Sequence, residues 1–265
     1  MIKKYKISVP KSTLNEIYKK VRNFPWSAAQ NMNGWEYGTN LNYLKNISKY
    51  WITKYNWKKF ENKINSFKNY KTKVEDINLH FIFEKSKNPN SKQLLLLHGW
   101  PGSITEFLDI IPRLAHPEKF GGKIEDGFDI IVPSLPGFGF SSQIKKALGP
   151  RKIGKILNKF MVKNLGYKNY FVQGGDWGAT IAGWIGLDSS KNCKGIHINC
   201  LPLRHPKGTK NVKEKKWEKK FNFDQIMQEG YRTQQATKPQ TLSYAMIDSP
   251  VGTAAWILEK FHGWS

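Results

Sequence analysis

The chain has 265 residues, 39% of them hydrophobic and 14% aromatic, enough apolar material for one large α/β domain or two smaller ones and too much for a disordered chain. Its formal charge of +23 comes from cations scattered along helical stretches. With no basic stripe and no reading element, the charge describes a solvated surface and speaks against a nucleic-acid binder.

No apolar signal region follows Met1 and no apolar run is long enough to span a membrane, so a soluble cytoplasmic protein is expected. Cys193 and Cys200 have no His or Cys partners at metal spacing and fit a reduced interior better than a disulfide frame.

In chain order, residues 10 to about 70 read as helical. Thr13 and Glu16 stand at capping-box spacing, and Leu14, Ile17 and Val21 follow at helical intervals. Ser27 to Thr39 is a loop rich in turn formers. Helical faces resume through Leu41, Leu44, Ile47 and Trp51, then through Trp57, Phe60, Ile64 and Phe67, and these stripes are expected to pack on the rest of the protein. Near Asp76 the period changes: Ile77 to Phe83 alternates as a half-buried strand.

Gln93 to Leu97 is a wholly apolar strand ending in His98-Gly99-Trp100-Pro101-Gly102-Ser103. Ser103 and Glu106 then cap a helix whose face is Phe107, Leu108, Ile111 and Leu114. Phe128 to Val132 is the next buried strand, closing on Pro136-Gly137-Phe138-Gly139-Phe140-Ser141. A helix follows with Ile153, Ile156, Leu157 and Phe160, and Gly166 stops it. Tyr170 to Val172 and Gly195 to Leu201 are further strands. Strands alternating with helices predict a mostly parallel sheet with helices on both faces.

Two stretches carry chemistry. Val172-Gln173-Gly174-Gly175-Asp176-Trp177-Gly178-Ala179 joins a strand to a helix through Gly-x-Nu-x-Gly, the sharp turn of a nucleophile elbow with Asp where Ser is better known. A carboxylate there sits at a helix N-terminus, which favours its charged form, and it needs no base to activate it. The stretch alone is equally compatible with an Asp that merely caps a helix.

The second is His98 to Ser103, at the carboxyl end of a buried strand, where open α/β sheets build their sites. In this arrangement the backbone N–H groups of Trp100 and Trp177 would form an oxyanion hole. Pro101 is a candidate for a cis bond. His98 reads as a residue that pins the loop.

Taken together, these motifs resemble the epoxide hydrolases of the α/β-hydrolase superfamily, in the microsomal and juvenile-hormone type with a helical N-terminal extension. Four segments match in order: the aromatic-rich first part, His98-Gly99-Trp100-Pro101-Gly102-Ser103, the Pro136 to Ser141 turn, and Gly174-Gly175-Asp176-Trp177-Gly178. The stretch from Gln235 through Asp248-Ser249-Pro250 to Trp264 is similar to that family's cap.

The resemblance implies an α/β-hydrolase fold, with residues 1–90 as the N-terminal region, 91–203 as the core with the elbow, and 204–265 as the start of an incomplete helical cap. It implies Asp176 as a nucleophile that opens an epoxide through an alkyl ester, and Tyr231 as the proton donor to the epoxide oxygen. Tyr244 is a weaker candidate, read as structural. Trp100 and Trp177 would serve the ester's hydrolysis. Substrate and water are the only partners implied, with no organic cofactor and no metal, and homo-oligomerisation is left open.

The sequence departs from the family pattern after the elbow. The histidines there are His197, His205 and His262, none of them on a loop after a final strand. The general base, its acid partner and the last core strands are therefore expected to be absent from this chain, as in a C-terminally truncated fragment. The Leu203 to Phe223 segment, with Lys213, Lys215, Lys216, Lys219 and Lys220, is short and basic for the start of a cap.

Haloalkane dehalogenases share the His-Gly-x-Pro loop and the Asp-Trp-Gly elbow and form one alternative. A silent protein that binds apolar ligands is another, and a basic nucleic-acid binder a third.

Overall fold

A computed structural model describes residues 1–32, 34–200 and 208–265, apart from the side chains of 224, 225 and 227. The chain divides into two compact units, Met1–Ser8 with Lys58–Leu203 and Val9–Trp57 with Arg204–Ser265. The expected first region, 1–90, is thus not a unit of its own: residues 9–57 group with the C-terminal segment, and 58–90 group with the sheet.

The first unit is built on a seven-stranded sheet. Its strands are β1 (Ile2–Lys4), β2 (Asn69–Val74), β3 (Ile77–Glu84), β4 (Lys92–Leu97), β5 (Phe128–Pro133), β6 (Tyr170–Gly174) and β7 (Cys193–Ile198). They lie in the order β1-β2-β3-β5-β4-β6-β7. The half from β1 to β5 is antiparallel and the half from β5 through β4 and β6 to β7 is parallel.

The apolar runs of β4, β5 and β6 follow from burial on both faces. Leu95 and Leu97 point into a core shared with Ile156 and Leu157 of α5 (Pro150–Lys159) and Ile181 and Ile185 of α6 (Trp177–Asp188). Leu96, Ile130 and Val132 face Ile64 of α3 (Trp57–Asn65) and Ile111 of α4 (Ile111–Ala115). Each such side chain contributes about 1.5–3 kcal/mol by leaving water.

β1 and β2 were not expected: residues 10 to about 70 read as helical, and no strand was read before Ile77. The sequence Asn-Tyr-Lys-Thr-Lys-Val of β2 buries Asn69 and Thr72 by hydrogen bonding, not by hydrophobicity. The Asn69 amide donates to the carbonyls of Ile64 and Phe67, both at 2.9 Å. Ser103 does accept from Thr105 N–H at 3.2 Å, but the turn it caps is a short 3-10 segment, Ile104–Phe107, that precedes α4.

His80 on β3 is fully buried between Ser134 Oγ at 2.9 Å and Asn69 Oδ1 at 3.0 Å. Burial, helped by the Lys71 charge, lowers its pKa to about 3. An unfolded chain protonates this histidine near pH 6.5 while the folded one resists, so its stability contribution is complete above about pH 6.5 and is lost as pH falls towards 3. The displacement is worth at most roughly 5 kcal/mol. Urea midpoints should fall between pH 7 and pH 4, and His80→Gln should flatten that fall; an unchanged slope in the variant would assign the acid sensitivity elsewhere.

The second unit contains α1 (Lys11–Arg22), α2 (Leu41–Thr53), α7 (Val212–Gln228), α8 (Gly230–Thr237), α9 (Pro239–Asp248) and α10 (Pro250–Gly263). Val21, Leu44 and Val251 form its core, with Ile17, Trp51 and Leu258 packed around them. Thr39 Oγ1 donates to Ala255 O at 2.6 Å, and the Trp35 and His262 rings stack at 4.0 Å. The expected Thr13–Glu16 capping box is not formed: Leu14 N–H bonds the Pro10 carbonyl, so α1 starts at Lys11, before Thr13.

Candidate active site

The site grows out of the parallel half of the sheet. β4 and β6 are neighbours, with Leu97 paired to Gly174, so the loops leaving their carboxyl ends emerge side by side. The first is His98 to Ser103, with a cis Trp100-Pro101 bond. The second is the turn Gly175-Asp176 into α6.

That turn is as tight as the motif requires. Asp176 has φ 49° and ψ −125°, a conformation L-residues seldom take and one that costs of order 1–3 kcal/mol. Gly178 lies against the main chain of β4, where a Cβ would collide with the carbonyls of Leu97 and His98. A Cβ on Gly99 would strike the Asp176 side chain itself. The strain holds the carboxyl up against the neighbouring loop.

There, Trp100 N–H donates to Asp176 Oδ1 at 2.9 Å. No other hydrogen bond to the Asp176 carboxylate is formed among the described residues, so Oδ2 accepts none there. Trp177 is the first residue of α6, so its N–H belongs to the first turn and has no intrahelical partner. Of the expected pair of backbone donors, Trp100 makes its bond to the carboxylate.

His98 is fully buried. Leu135 N–H donates to its Nε2 at 3.1 Å, so Nδ1 carries the proton and donates to the Gly99 carbonyl at 3.0 Å. Burial lowers its pKa, against the Gly99 carbonyl and the Asp176 charge, which raise it. The imidazole ties the loop after β4 to the loop after β5 and leaves no nitrogen for chemistry.

Tyr231 belongs to the other unit, at the start of α8. Its ring is half-buried, edge-on to Trp264 at 5.1 Å and under Lys260 Nζ at 5.1 Å. Tyr244 is exposed, its hydroxyl accepting from Gln240 Nε2 at 2.8 Å. Of the late histidines, His197 is exposed on β7, His262 stacks on Trp35, and His205 lies outside the described residues. No histidine among the described residues hydrogen-bonds Asp176.

Both cysteines are free, Cys193 buried and Cys200 exposed. Among the described residues no group of His, Cys, Asp and Glu could hold a metal ion, and no helix is long and apolar enough to cross a membrane.

The reading of Glu106 as a cap was incomplete. Its carboxyl turns back over Gly102, where a Cβ would meet Oε1. The capping-box spacing signalled its partner Ser103, but nothing in the sequence signalled that the carboxyl lies over Gly102.

Comparison with known proteins agrees with this geometry. Residues 2–107 match the family described as "Epoxide hydrolase N terminus", and residues 92–245 match "alpha/beta hydrolase fold". The chain is 34% identical to "Epoxide hydrolase 1" of Oryctolagus cuniculus, over 100% of this chain and 63% of that protein. It is also 34% identical to "Juvenile hormone epoxide hydrolase 1" of Ctenocephalides felis, over 100% of this chain and 60% of that one.

The crystal structure of juvenile hormone epoxide hydrolase from the silkworm Bombyx mori matches with a TM-score of 0.88 at 30% identity, covering 100% of this chain and 66% of that chain. The chain thus spans less than two thirds of the length of these relatives. It belongs to the alpha/beta hydrolase fold family, and its residues 2–107 carry the epoxide hydrolase N-terminal region.

Proposed function

We propose that this chain carries the nucleophilic half of an epoxide hydrolase. The observation behind this reading is the bond from Trp100 N–H to Asp176 Oδ1, which leaves Oδ2 as the attacking atom. Oδ2 displaces the epoxide oxygen from carbon, forming an alkyl ester, and the ring oxygen leaves as an alkoxide. Tyr231, assigned by its place in the cap motif, is the group that protonates it; a phenol holds its proton at neutral pH in the absence of strong perturbation.

Water then attacks the ester carbonyl, and the charge that develops on Oδ1 is met by the N–H groups of Trp100 and Trp177. The carbonyl reforms as the ester C–O bond breaks, and the diol leaves with Oδ2. The base that activates this water and its acid partner are not among the described residues. We therefore expect the 265-residue chain to stop at the ester. The two free cysteines suit a reducing compartment, and the cytoplasm is the location we propose.

Incubation with styrene oxide followed by intact-mass measurement tests this reading. One retained epoxide mass per chain is the expected result. Release of many diol equivalents per chain would overturn the arrest at the ester, and halide release from a haloalkane would favour a dehalogenase.

A further inference from the structure

Glu106 is an ionisable group beside Asp176 that the reaction above leaves unused. It is exposed as a residue, but its carboxyl is folded back onto the loop over Gly102. Its own N–H donates to the Ser103 carbonyl at 3.1 Å, which fixes the start of the side chain against the loop's end. Desolvation raises the pKa of its carboxyl; the Ser103 N–H lowers it, the Asp176 charge raises it and the Gly99 N–H lowers it. The carboxyl thus lies on the Gly99–Ser103 loop, against Gly102. A capping box alone does not account for the place of the carboxyl over Gly102. Trp100, whose N–H meets Asp176 Oδ1, is the residue next to Gly99.

Building on the epoxide hydrolase reading, we infer that Glu106 is a positioning residue for ester hydrolysis: its carboxyl packs over Gly102 on the Gly99–Ser103 loop and so holds the Trp100 N–H on Asp176 Oδ1. The two chemical steps need this bond unequally. Attack by Oδ2 on saturated carbon puts no new charge on Oδ1. Attack on the ester carbonyl makes Oδ1 an oxyanion, and a donor there is worth about 10²–10³ in rate when fully removed. A loosened donor should lose a part of that, about tenfold.

The two steps can be read separately in this chain. Styrene oxide forms the adduct, excess epoxide is removed, and hydroxylamine then cleaves the ester. Its nitrogen attacks Asp176 Cγ, Oδ1 takes the charge, and collapse expels the diol and leaves a hydroxamate on the protein. Intact mass follows adduct gain and adduct loss in turn.

Glu106→Ala should slow cleavage by hydroxylamine about tenfold while adduct formation changes less than about twofold. Glu106→Gln, which keeps the shape and one acceptor oxygen, should fall between. Gly102→Ala, which pushes the carboxyl away without touching it chemically, should behave like Glu106→Ala.

Equal slowing of both steps in Glu106→Ala and Glu106→Gln would mean a purely structural cap and would overturn the inference, as would no effect on cleavage. A wild-type chain that forms no adduct at all would instead remove the epoxide hydrolase reading, and this inference with it. Because Glu106→Gln is an exposed and nearly isosteric change, its kinetics remain readable even where Gly102→Ala does not fold.

Discussion

Asp176→Asn is expected to abolish alkylation by epoxides while leaving the fold intact. The substitution suits the backbone: at φ 49° Asn is among the few non-glycine residues tolerated, and its amide oxygen can still accept from Trp100 N–H. What is lost is the anionic Oδ2, because a neutral amide nitrogen is no nucleophile towards saturated carbon. Removing a nucleophile that acts with the rest of a site costs on the order of 10⁴–10⁶ in rate, so adduct formation should fall below detection. Thermal unfolding should stay within a few degrees of wild type. An adduct formed by the variant at the wild-type rate would dismiss Asp176 as the nucleophile.

The second large effect is on stability. Gly178→Ala places a methyl group into the carbonyls of Leu97 and His98, which belong to the main chain of β4 and of the loop after it. Neither can rotate away as a side chain would, and β4 is held on both sides by β5 and β6. Overpacking usually costs 1–3 kcal/mol, and against a fixed backbone the loss should be about 3 kcal/mol or more. For a chain of this size that lowers the melting temperature by roughly 6–12 °C or prevents folding. Gly183→Ala, in the same helix and with open space at its Cβ, is the control and should be nearly neutral or stabilising. Equal melting temperatures for the two variants would show that α6 does not press on β4 as described.

The parallel half of the sheet could be read from the sequence because each of its central strands is buried on both faces. Leu94 to Leu97 and Ile130 to Val132 are continuous apolar runs that few other structures accommodate. The elbow and the loop after β4 were legible for a related reason: close approach of backbone to backbone demands glycine at Gly178 and Gly99, and the spacing of those glycines is visible in one dimension.

Of the antiparallel half, β3 was read from its alternation, but β1 and β2 were not legible. β2 buries Asn69 through hydrogen bonds to the carbonyls of Ile64 and Phe67, and Thr72 through bonds with Met1 and Asn164, so its polar residues mimic a loop. The grouping of residues 9–57 with 204–265 depends on long-range contacts such as Lys20 with Asp248 at 2.8 Å, which no local pattern encodes. The place of the Glu106 carboxyl over Gly102 was hidden in the same way, since a capping box accounts for the residue without it.

The most direct test of the account is to locate the adduct. The chain would be incubated with styrene oxide at neutral pH, digested, and the modified residue found by tandem mass spectrometry. Cys200 is exposed and free, so the Cys200→Ser variant should be used to remove a competing thiol. The account predicts a hydroxylamine-sensitive ester on Asp176 and none in Asp176→Asn. Modification confined to other side chains, with the peptide carrying Asp176 unmodified, would contradict it.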